Sequence, residues 1–128
     1  MKIGFIGLGN VGGKLASSLL RNKFNLTIKD LDKKIEKSFI DKGANVANNP
    51  KELAENVDLI ITCLPSPQIC AEVMGAEDGV INGLSKNKIW LEMSTTDEAE
   101  VKRLGKLVSA KGAIPLDGPV SGGCHRAA

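Results

Sequence analysis

Apolar and polar residues alternate along this chain in short blocks that predict strands and helices in regular succession. Six brief apolar runs predict β-strands at 3–6, 26–28, 44–47, 57–64, 89–93 and 113–116. Between these runs apolar residues recur at helical spacing, as in Val11, Leu15 and Leu19. Strands that alternate with helices over the whole length predict an α/β fold built on a doubly wound parallel sheet.

Several polar residues stand where helices are expected to begin. Asp32, Asn49 and Ser66 are predicted N-caps, and Pro50 and Pro67 follow two of them at the first helical position. Thr95 with Glu98 has the spacing of a capping box before the last helix. In the helix after Pro67, Ile69 and Val73 are expected to form the apolar stripe, and Cys70 to lie in the core with Met74.

Composition narrows the class of protein. The chain has 128 residues, 42% of them apolar and 25% charged, which is typical of one globular domain. Its net charge of +2 is spread out and no basic run of five or more residues occurs, so neither nucleic acid nor a membrane surface is an expected partner. Three cysteines, Cys63, Cys70 and Cys124, lack the spacing of metal ligands, and Cys63 and Cys70 are interpreted as core residues. The N-terminus lacks the pattern of a signal peptide, so a location in the cytoplasm or in another reducing compartment is expected.

A glycine-rich turn joins the first predicted strand to the first helix. Gly7-x-Gly9-x-x-Gly12 follows the strand directly, which is the context that a dinucleotide-binding fingerprint requires. In that motif the first glycine allows a tight turn, the second lets backbone approach a pyrophosphate, and the third lets helix and strand pack closely. The fingerprint favours a Rossmann-type sheet with strand order 3-2-1-4-5-6. The alternative interpretation is a β–α turn that is merely rich in glycine.

An acidic residue ends the second predicted strand. Asp30 follows Gly12 by 18 residues, close to the spacing of the acid that binds the adenosine ribose hydroxyls. A carboxylate there would repel a 2′-phosphate, so NAD is expected rather than NADP, although Lys33 and Lys34 are close enough in sequence to bind such a phosphate.

Polar or turn-forming segments follow five predicted strands: 7–12, Asp30, 64–66, 94–96 and 121–123. The carboxyl ends of parallel strands share one edge, where ligands bind in open α/β sheets. Turn formation and helix capping would explain part of this pattern without any ligand.

These motifs together resemble the N-terminal half of the β-hydroxyacid dehydrogenase family, whose best-known type is 3-hydroxyisobutyrate dehydrogenase. The resemblance is carried by the segments 4–12, 64–67, 93–95 and 117–123, in that order along the chain. It implies a cofactor site formed by Gly7, Leu8, Gly9, Asn10, Val11, Gly12, Asp30, Leu64, Pro65, Ser94 and Thr95. It also implies that Ser121, Gly122 and Gly123 bind the carboxylate of a small substrate.

The same resemblance implies that part of the active site lies outside this chain. In the family the catalytic lysine belongs to a second, helical domain that follows the substrate motif and forms most of the dimer interface. Lys111 is the last lysine here, so residues 1–128 are interpreted as the dinucleotide-binding domain alone, without a catalytic residue and inactive by itself. His125, the single histidine, is not expected to replace that lysine. The resemblance implies an oxidoreductase whose full-length form transfers a hydride between a small 3-hydroxy acid and NAD. The alternative function is a non-catalytic nucleotide-sensing or interaction module on the same fold.

Overall fold

The computed structural model describes residues 1–93 and 97–117. Its strands are β1 (Lys2–Ile6), β2 (Asn25–Lys29), β3 (Asn45–Val46), β4 (Leu59–Thr62), β5 (Ile89–Glu92) and β6 (Ile114–Asp117). Its α-helices are α1 (Asn10–Arg21), α2 (Lys33–Asp41), α3 (Pro50–Asn56), α4 (Pro67–Gly75) and α5 (Glu98–Ala110). A 3₁₀-helix covers Val80–Gly83.

The strands within the described ranges form one parallel sheet in the predicted order, β3-β2-β1-β4-β5-β6. β1 lies at its centre, with Ile3 beside Leu26 of β2 on one side and beside Leu59 of β4 on the other. The direction of winding reverses between these two neighbours of β1. In such a sheet the reversal leaves a crevice at the carboxyl ends of the strands.

Apolar side chains cover both faces of the sheet, which explains the nearly continuous apolar runs of the central strands. One cluster contains Phe5, Ile28 and Phe39, and lies with α1 and α2. The other contains Trp90 and Leu104, together with the side chains of α3 and α4.

Three of the predicted helix starts are confirmed. The side chains of Asp32, Asn49 and Ser66 each accept a backbone N–H of the first turn, at 2.8–3.2 Å. Each acceptor satisfies an amide that the helix itself leaves without a partner.

The predicted start of the last helix is wrong. α5 begins at Glu98, and Asp97 caps it by accepting the N–H groups of Ala99 and Glu100 at 2.8 and 3.2 Å. A carboxylate directly before the helix reaches two amides and also carries the charge that the helix dipole favours there, so Asp97 takes the place expected for Thr95. Thr95 itself lies outside the described residues.

The buried side of α4 lies one position further along the chain than the apolar stripe predicted at Ile69 and Val73. Cys70 and Met74 are the buried residues of this helix, with 1% and 0% of their surface exposed. Ile69 and Val73 are only partly buried and line the crevice at the carboxyl edge of the sheet. The core position expected for Cys70 is therefore confirmed.

The two outermost strands in the described part of the sheet differ from the inner four. β3 has two residues, Asn45 and Val46, fewer than the four expected, and these pair with Thr27 and Ile28 of β2. β6 has Pro115 in its interior, opposite Trp90 of β5.

Candidate functional site

A crevice of about 490 Å³ lies at the carboxyl ends of β1, β2 and β4. This volume falls within the usual range of small-molecule sites. All nine of the described residues that the sequence assigned to a cofactor line it: Gly7, Leu8, Gly9, Asn10, Val11, Gly12, Asp30, Leu64 and Pro65. The fold thus brings three separate predicted motifs to one place.

The three glycines of the turn differ in what surrounds them. Gly7 has a φ of +97°, and a Cβ there would lie 2.2 Å from the Cys63 carbonyl oxygen. A Cβ on Gly12 would lie 2.1 Å from the Gly7 carbonyl oxygen. A Cβ on Gly9, by contrast, would have no atom within 4 Å. The fold therefore requires glycine at positions 7 and 12, whereas Gly9 leaves open space at the wall of the crevice.

The N-terminus of α1 differs from the other helix starts in the described part of the chain. Its first turn contains no acidic residue, and Gly9 offers no side chain to cap it. Each of the other α-helices has a capping side chain, and α2, α3 and α5 also have an acid in the first turn. The start of α1 therefore has neither a capping side chain nor an acid in its own first turn to offset its positive dipole end, which suits an anion.

Asp30 is held rigidly beside the glycine turn. Its Oδ2 accepts the Leu8 N–H at 2.7 Å, and its Oδ1 accepts the Asp32 N–H at 2.8 Å. A carboxylate has about four acceptor positions, so each oxygen keeps capacity for a further donor such as a ribose hydroxyl. The structure thus joins the end of β2 to the glycine turn through the side chain expected to bind the ribose.

Cys63 lies in the crevice, so its interpretation as a core residue is only partly correct. The residue is half-buried and lines the same space as Leu64. Burial and the Glu92 carboxylate raise the pKa of its thiol, against a hydrogen bond from the Gly12 amide that acts to lower it. The thiol is therefore protonated at neutral pH. Its position directly after β4, at the same edge as Leu64, was the signal that could have identified it.

Five predicted site residues lie outside the described part of the structure: Ser94, Thr95, Ser121, Gly122 and Gly123. The strands that precede them are in place. Thr62, Glu92 and Asp117 are register partners at the ends of β4, β5 and β6, and Ile6 of β1 pairs with Thr62. The two segments that hold the five residues therefore follow strands whose carboxyl ends share the edge of the crevice.

Within the ranges described, neither a metal site nor a membrane-spanning helix is found. No group of three or more His, Cys, Asp or Glu side chains there is placed to hold a metal ion. The helices of these ranges are too short or too polar for any of them to cross a membrane.

Comparison with known proteins agrees with this geometry. Residues 2–128 match the protein family described as the NAD binding domain of 6-phosphogluconate dehydrogenase. The chain is 39% identical, over 121 residues, to mitochondrial 3-hydroxyisobutyrate dehydrogenase of Mus musculus, which covers 94% of this chain and 36% of the mouse protein. It is 36% identical over 118 residues to 3-sulfolactaldehyde reductase of Escherichia coli K12, covering 92% of this chain and 40% of that protein. The resemblance noted from the motifs is confirmed.

A solved structure supports the fold assignment. The 3-hydroxyisobutyrate dehydrogenase of Salmonella typhimurium superimposes with a TM-score of 0.87 at 26% identity, over 98% of this chain and 44% of that one. The chain thus spans well under half the length of the relatives it matches. The mouse protein is named as mitochondrial, so the cytoplasmic location expected here stays a prediction.

Proposed function

The chain belongs to the family of NAD-binding domains described for 6-phosphogluconate dehydrogenase, and on this premise we propose a cofactor and a reaction. The crevice binds NAD in preference to NADP. The full-length protein transfers a hydride between NAD and a small 3-hydroxy acid similar to 3-hydroxyisobutyrate. When bound, the nicotinamide supplies the hydride acceptor, and the residues of this chain bind and orient both reactants.

The pyrophosphate end of the site is proposed at the glycine turn. Gly9 leaves space for close approach, and the N–H groups of Asn10 and Val11 stand at the start of α1, which has neither a capping side chain nor an acid in its first turn. Leu8 is 4% exposed and fixes the turn through its N–H bond to Asp30.

The preference for NAD rests on Asp30, and this is the observation that supports the proposal most directly. Its carboxylate is fixed at the end of β2, and both oxygens can still accept ribose hydroxyls. A 2′-phosphate in the same place would bring like charges together. At about 4 Å two unit charges near a protein surface repel by roughly 4 kcal/mol, so even a screened fraction of this energy favours NAD at least tenfold.

The remaining parts of the site are proposed from the resemblance and from the relatives. Leu64 and Pro65 form the side of the crevice along which the adenine half of the cofactor passes, and Ser94 and Thr95 contact the nicotinamide ribose. Ser121, Gly122 and Gly123 bind the acidic group of the substrate. We propose that this acidic group is a carboxylate. A sulfonate is the competing candidate, because the E. coli relative is named as a reductase of 3-sulfolactaldehyde.

The proton-transfer lysine and the main dimer contacts are proposed to belong to a second domain of the full-length protein. The 128-residue chain is therefore expected to bind NADH without turning over any hydroxy acid. Nucleic acid and membranes are not proposed as partners.

Nucleotide titration of this chain tests the cofactor proposal. Trp90 is the single tryptophan, and its Nε1 donates to Thr62 Oγ1 at 2.9 Å, one residue before Cys63 of the crevice. Energy transfer from Trp90 to a bound reduced nicotinamide therefore reports binding of NADH and NADPH alike. NADH is expected to bind at least about tenfold more tightly, a difference of roughly 1.4 kcal/mol. Tighter NADPH binding would overturn the role of Asp30, and no transfer with either nucleotide would overturn the binding site.

Assay of the full-length protein separates an enzyme from the alternative, a nucleotide-sensing module. An enzyme of the proposed class reduces NAD in the presence of 3-hydroxyisobutyrate or a related small hydroxy acid. A full-length protein that binds NADH but oxidises no member of a panel of 3-hydroxy carboxylates and sulfonates would be the module instead.

A further inference from the structure

Glu36 is a buried carboxylate next to the proposed ribose site. It lies on α2, four residues after the capping Asp32, with only 4% of its surface exposed. Its Oε2 accepts the backbone N–H of Asp30 at 3.0 Å. Burial acts to raise the pKa of Glu36, but the Asp30 N–H and the Lys29 ammonium together hold that pKa below its usual value. Glu36 is therefore negatively charged at neutral pH.

Two lysines that flank Asp30 in sequence are both paired with Glu36. Lys29 Nζ lies 3.3 Å from Oε2, and Lys33 Nζ lies 3.3 Å from Oε1. Lys29 also lines the crevice, and its side chain is 15% exposed, whereas that of Lys33 is 80% exposed. Each ammonium group is thus oriented towards Glu36 on α2.

The four side chains of Lys29, Asp30, Lys33 and Glu36 together carry no net charge. Asp30 and Glu36 carry two negative charges, and Lys29 and Lys33 carry two positive ones. Without Glu36, the same place would hold an excess of one positive charge and two lysines that no longer have this partner. Lysines next to a ribose are suitable ligands for a 2′-phosphate, since each is a mobile point charge on a long stem.

We propose that Glu36 is a second determinant of cofactor choice, which acts by holding Lys29 and Lys33 away from the ribose while it fixes the backbone of Asp30. It is a positioning residue, because it acts through the lysines and Asp30 rather than on the nucleotide. The inference rests on the proposed function, in which Asp30 faces the adenosine ribose. It explains how Lys29 and Lys33, although close to Asp30 in sequence, are compatible with a preference for NAD.

Glu36→Gln tests the inference, because the amide keeps the shape of the side chain and removes its charge. In this variant the dissociation constant of NADPH is expected to fall about fivefold, the effect of a unit charge roughly 10 Å from a doubly charged phosphate after screening by salt. The constant for NADH is expected to change less than about twofold, since NADH has no group at the 2′ position beyond a neutral hydroxyl. The gain for NADPH should shrink at high salt, which a purely structural effect would not do.

Two matched variants complete the test. Asp41→Asn removes one negative charge from the opposite end of the same helix and should leave the NADPH-to-NADH ratio as in the unsubstituted chain. Lys33→Met removes the exposed lysine, leaves the group with an excess negative charge, and should move the ratio in the opposite direction from Glu36→Gln. Because Lys33 is largely exposed, this variant should fold even where Glu36→Gln does not, and an unchanged ratio in it overturns the part of the inference that places Lys33 near the 2′ position.

The outcomes separate this inference from the proposal beneath it. An unsubstituted chain that prefers NADH, together with a Glu36→Gln variant of unchanged ratio, overturns the role of Glu36 alone. That role is also overturned if both nucleotides weaken equally, or if Asp41→Asn changes the ratio as much as Glu36→Gln. An unsubstituted chain that binds neither nucleotide, or prefers NADPH, overturns the cofactor proposal and this inference with it.

Discussion

Gly12→Ala is expected to lower the stability of the fold, and Gly9→Ala to weaken NADH binding, although the two glycines stand three residues apart in one motif. A methyl group on Gly12 would lie 2.1 Å from the Gly7 carbonyl oxygen and 3.2 Å from Phe5 Cε1. The first of these atoms is backbone at the start of a fixed turn, so the clash cannot be relieved by rotating a side chain. A methyl group on Gly9 would meet no atom within 4 Å.

The expected loss of stability follows from these contacts. Overpacking of this kind costs about 1–3 kcal/mol, and Gly12→Ala belongs at the upper end because the clash is with backbone. Alanine regains about 1 kcal/mol over glycine inside a helix, which leaves a net loss of about 2 kcal/mol. For a chain of this size the thermal midpoint should fall by about 6–10 °C. Gly9→Ala replaces one N-cap residue by a poorer one, and should cost less than about 1 kcal/mol.

The expected loss of binding runs the other way. If the pyrophosphate rests against the backbone at Gly9, a methyl group there displaces it from the N–H groups of α1. Losing one charge-assisted hydrogen bond is worth about 1.5–3 kcal/mol, so NADH should bind at least about tenfold more weakly to Gly9→Ala. Thermal unfolding followed by circular dichroism and titration by energy transfer from Trp90 measure the two quantities on the same samples.

The combination of results is what tests the reasoning. Gly9→Ala should fold normally and bind poorly, and Gly12→Ala should unfold early. If Gly9→Ala binds NADH as tightly as the unsubstituted chain, the cofactor does not approach this face of the turn and the proposed pyrophosphate site is wrong. If Gly12→Ala loses no stability, the close packing of α1 on the turn does not carry the energy assigned to it.

Three further predictions concern single side chains. Asp30→Ala should lower NADH affinity about tenfold or more, because a charge-assisted hydrogen bond to the ribose is lost, and an unchanged titration would refute the ribose contact. Lys88 Nζ donates to three carbonyl oxygens at the end of α3, at 2.6–3.0 Å, so Lys88→Met should lower the free energy of unfolding by about 1–3 kcal/mol in urea denaturation. Lys106 is exposed, and the control Lys106→Met should change that free energy by less than about 0.5 kcal/mol. In the folded protein the pKa of Glu36 lies below its ordinary value of 4.5. The charged carboxylate therefore stabilises the fold fully above pH 4.5, and this stabilisation is lost as the pH falls through the lower folded pKa. Glu36→Gln should make the thermal unfolding midpoint depend less on pH below about 5, and equal pH profiles of the two proteins would contradict this.

The sheet and its crevice could be predicted because their signals are local. Apolar runs, cap residues and the glycine turn each act within a few positions, and the handedness of crossovers then orders the strands. Asp30 could be placed for the same reason, since it directly follows a strand. The start of α5 could not be placed in this way, because Thr95 and Asp97 both suit an N-cap and only the folded backbone shows that Asp97 reaches the two amides.

The ion pairs around Glu36 could not be predicted, because they depend on how α2 lies against β2. In the sequence, Lys29, Lys33 and Glu36 have the appearance of an ordinary solvated surface. Glu36 is only 4% exposed because α2 packs against the sheet. This packing places its carboxylate where both Lys29 and Lys33 form ion pairs with it. The contacts of Lys88 with the end of α3 have the same origin, since they join residues more than 30 positions apart.

The outermost strands limit how the sheet can associate with other chains. An edge strand with a long row of free N–H and C=O groups is a template on which another chain can form a further strand. β3 offers only two residues for such pairing, and Pro115 removes one donor from the middle of β6. Pairing of a strand from another chain with β3 or with β6 is therefore disfavoured, so neither of the two edges described is an open template for edge-to-edge association.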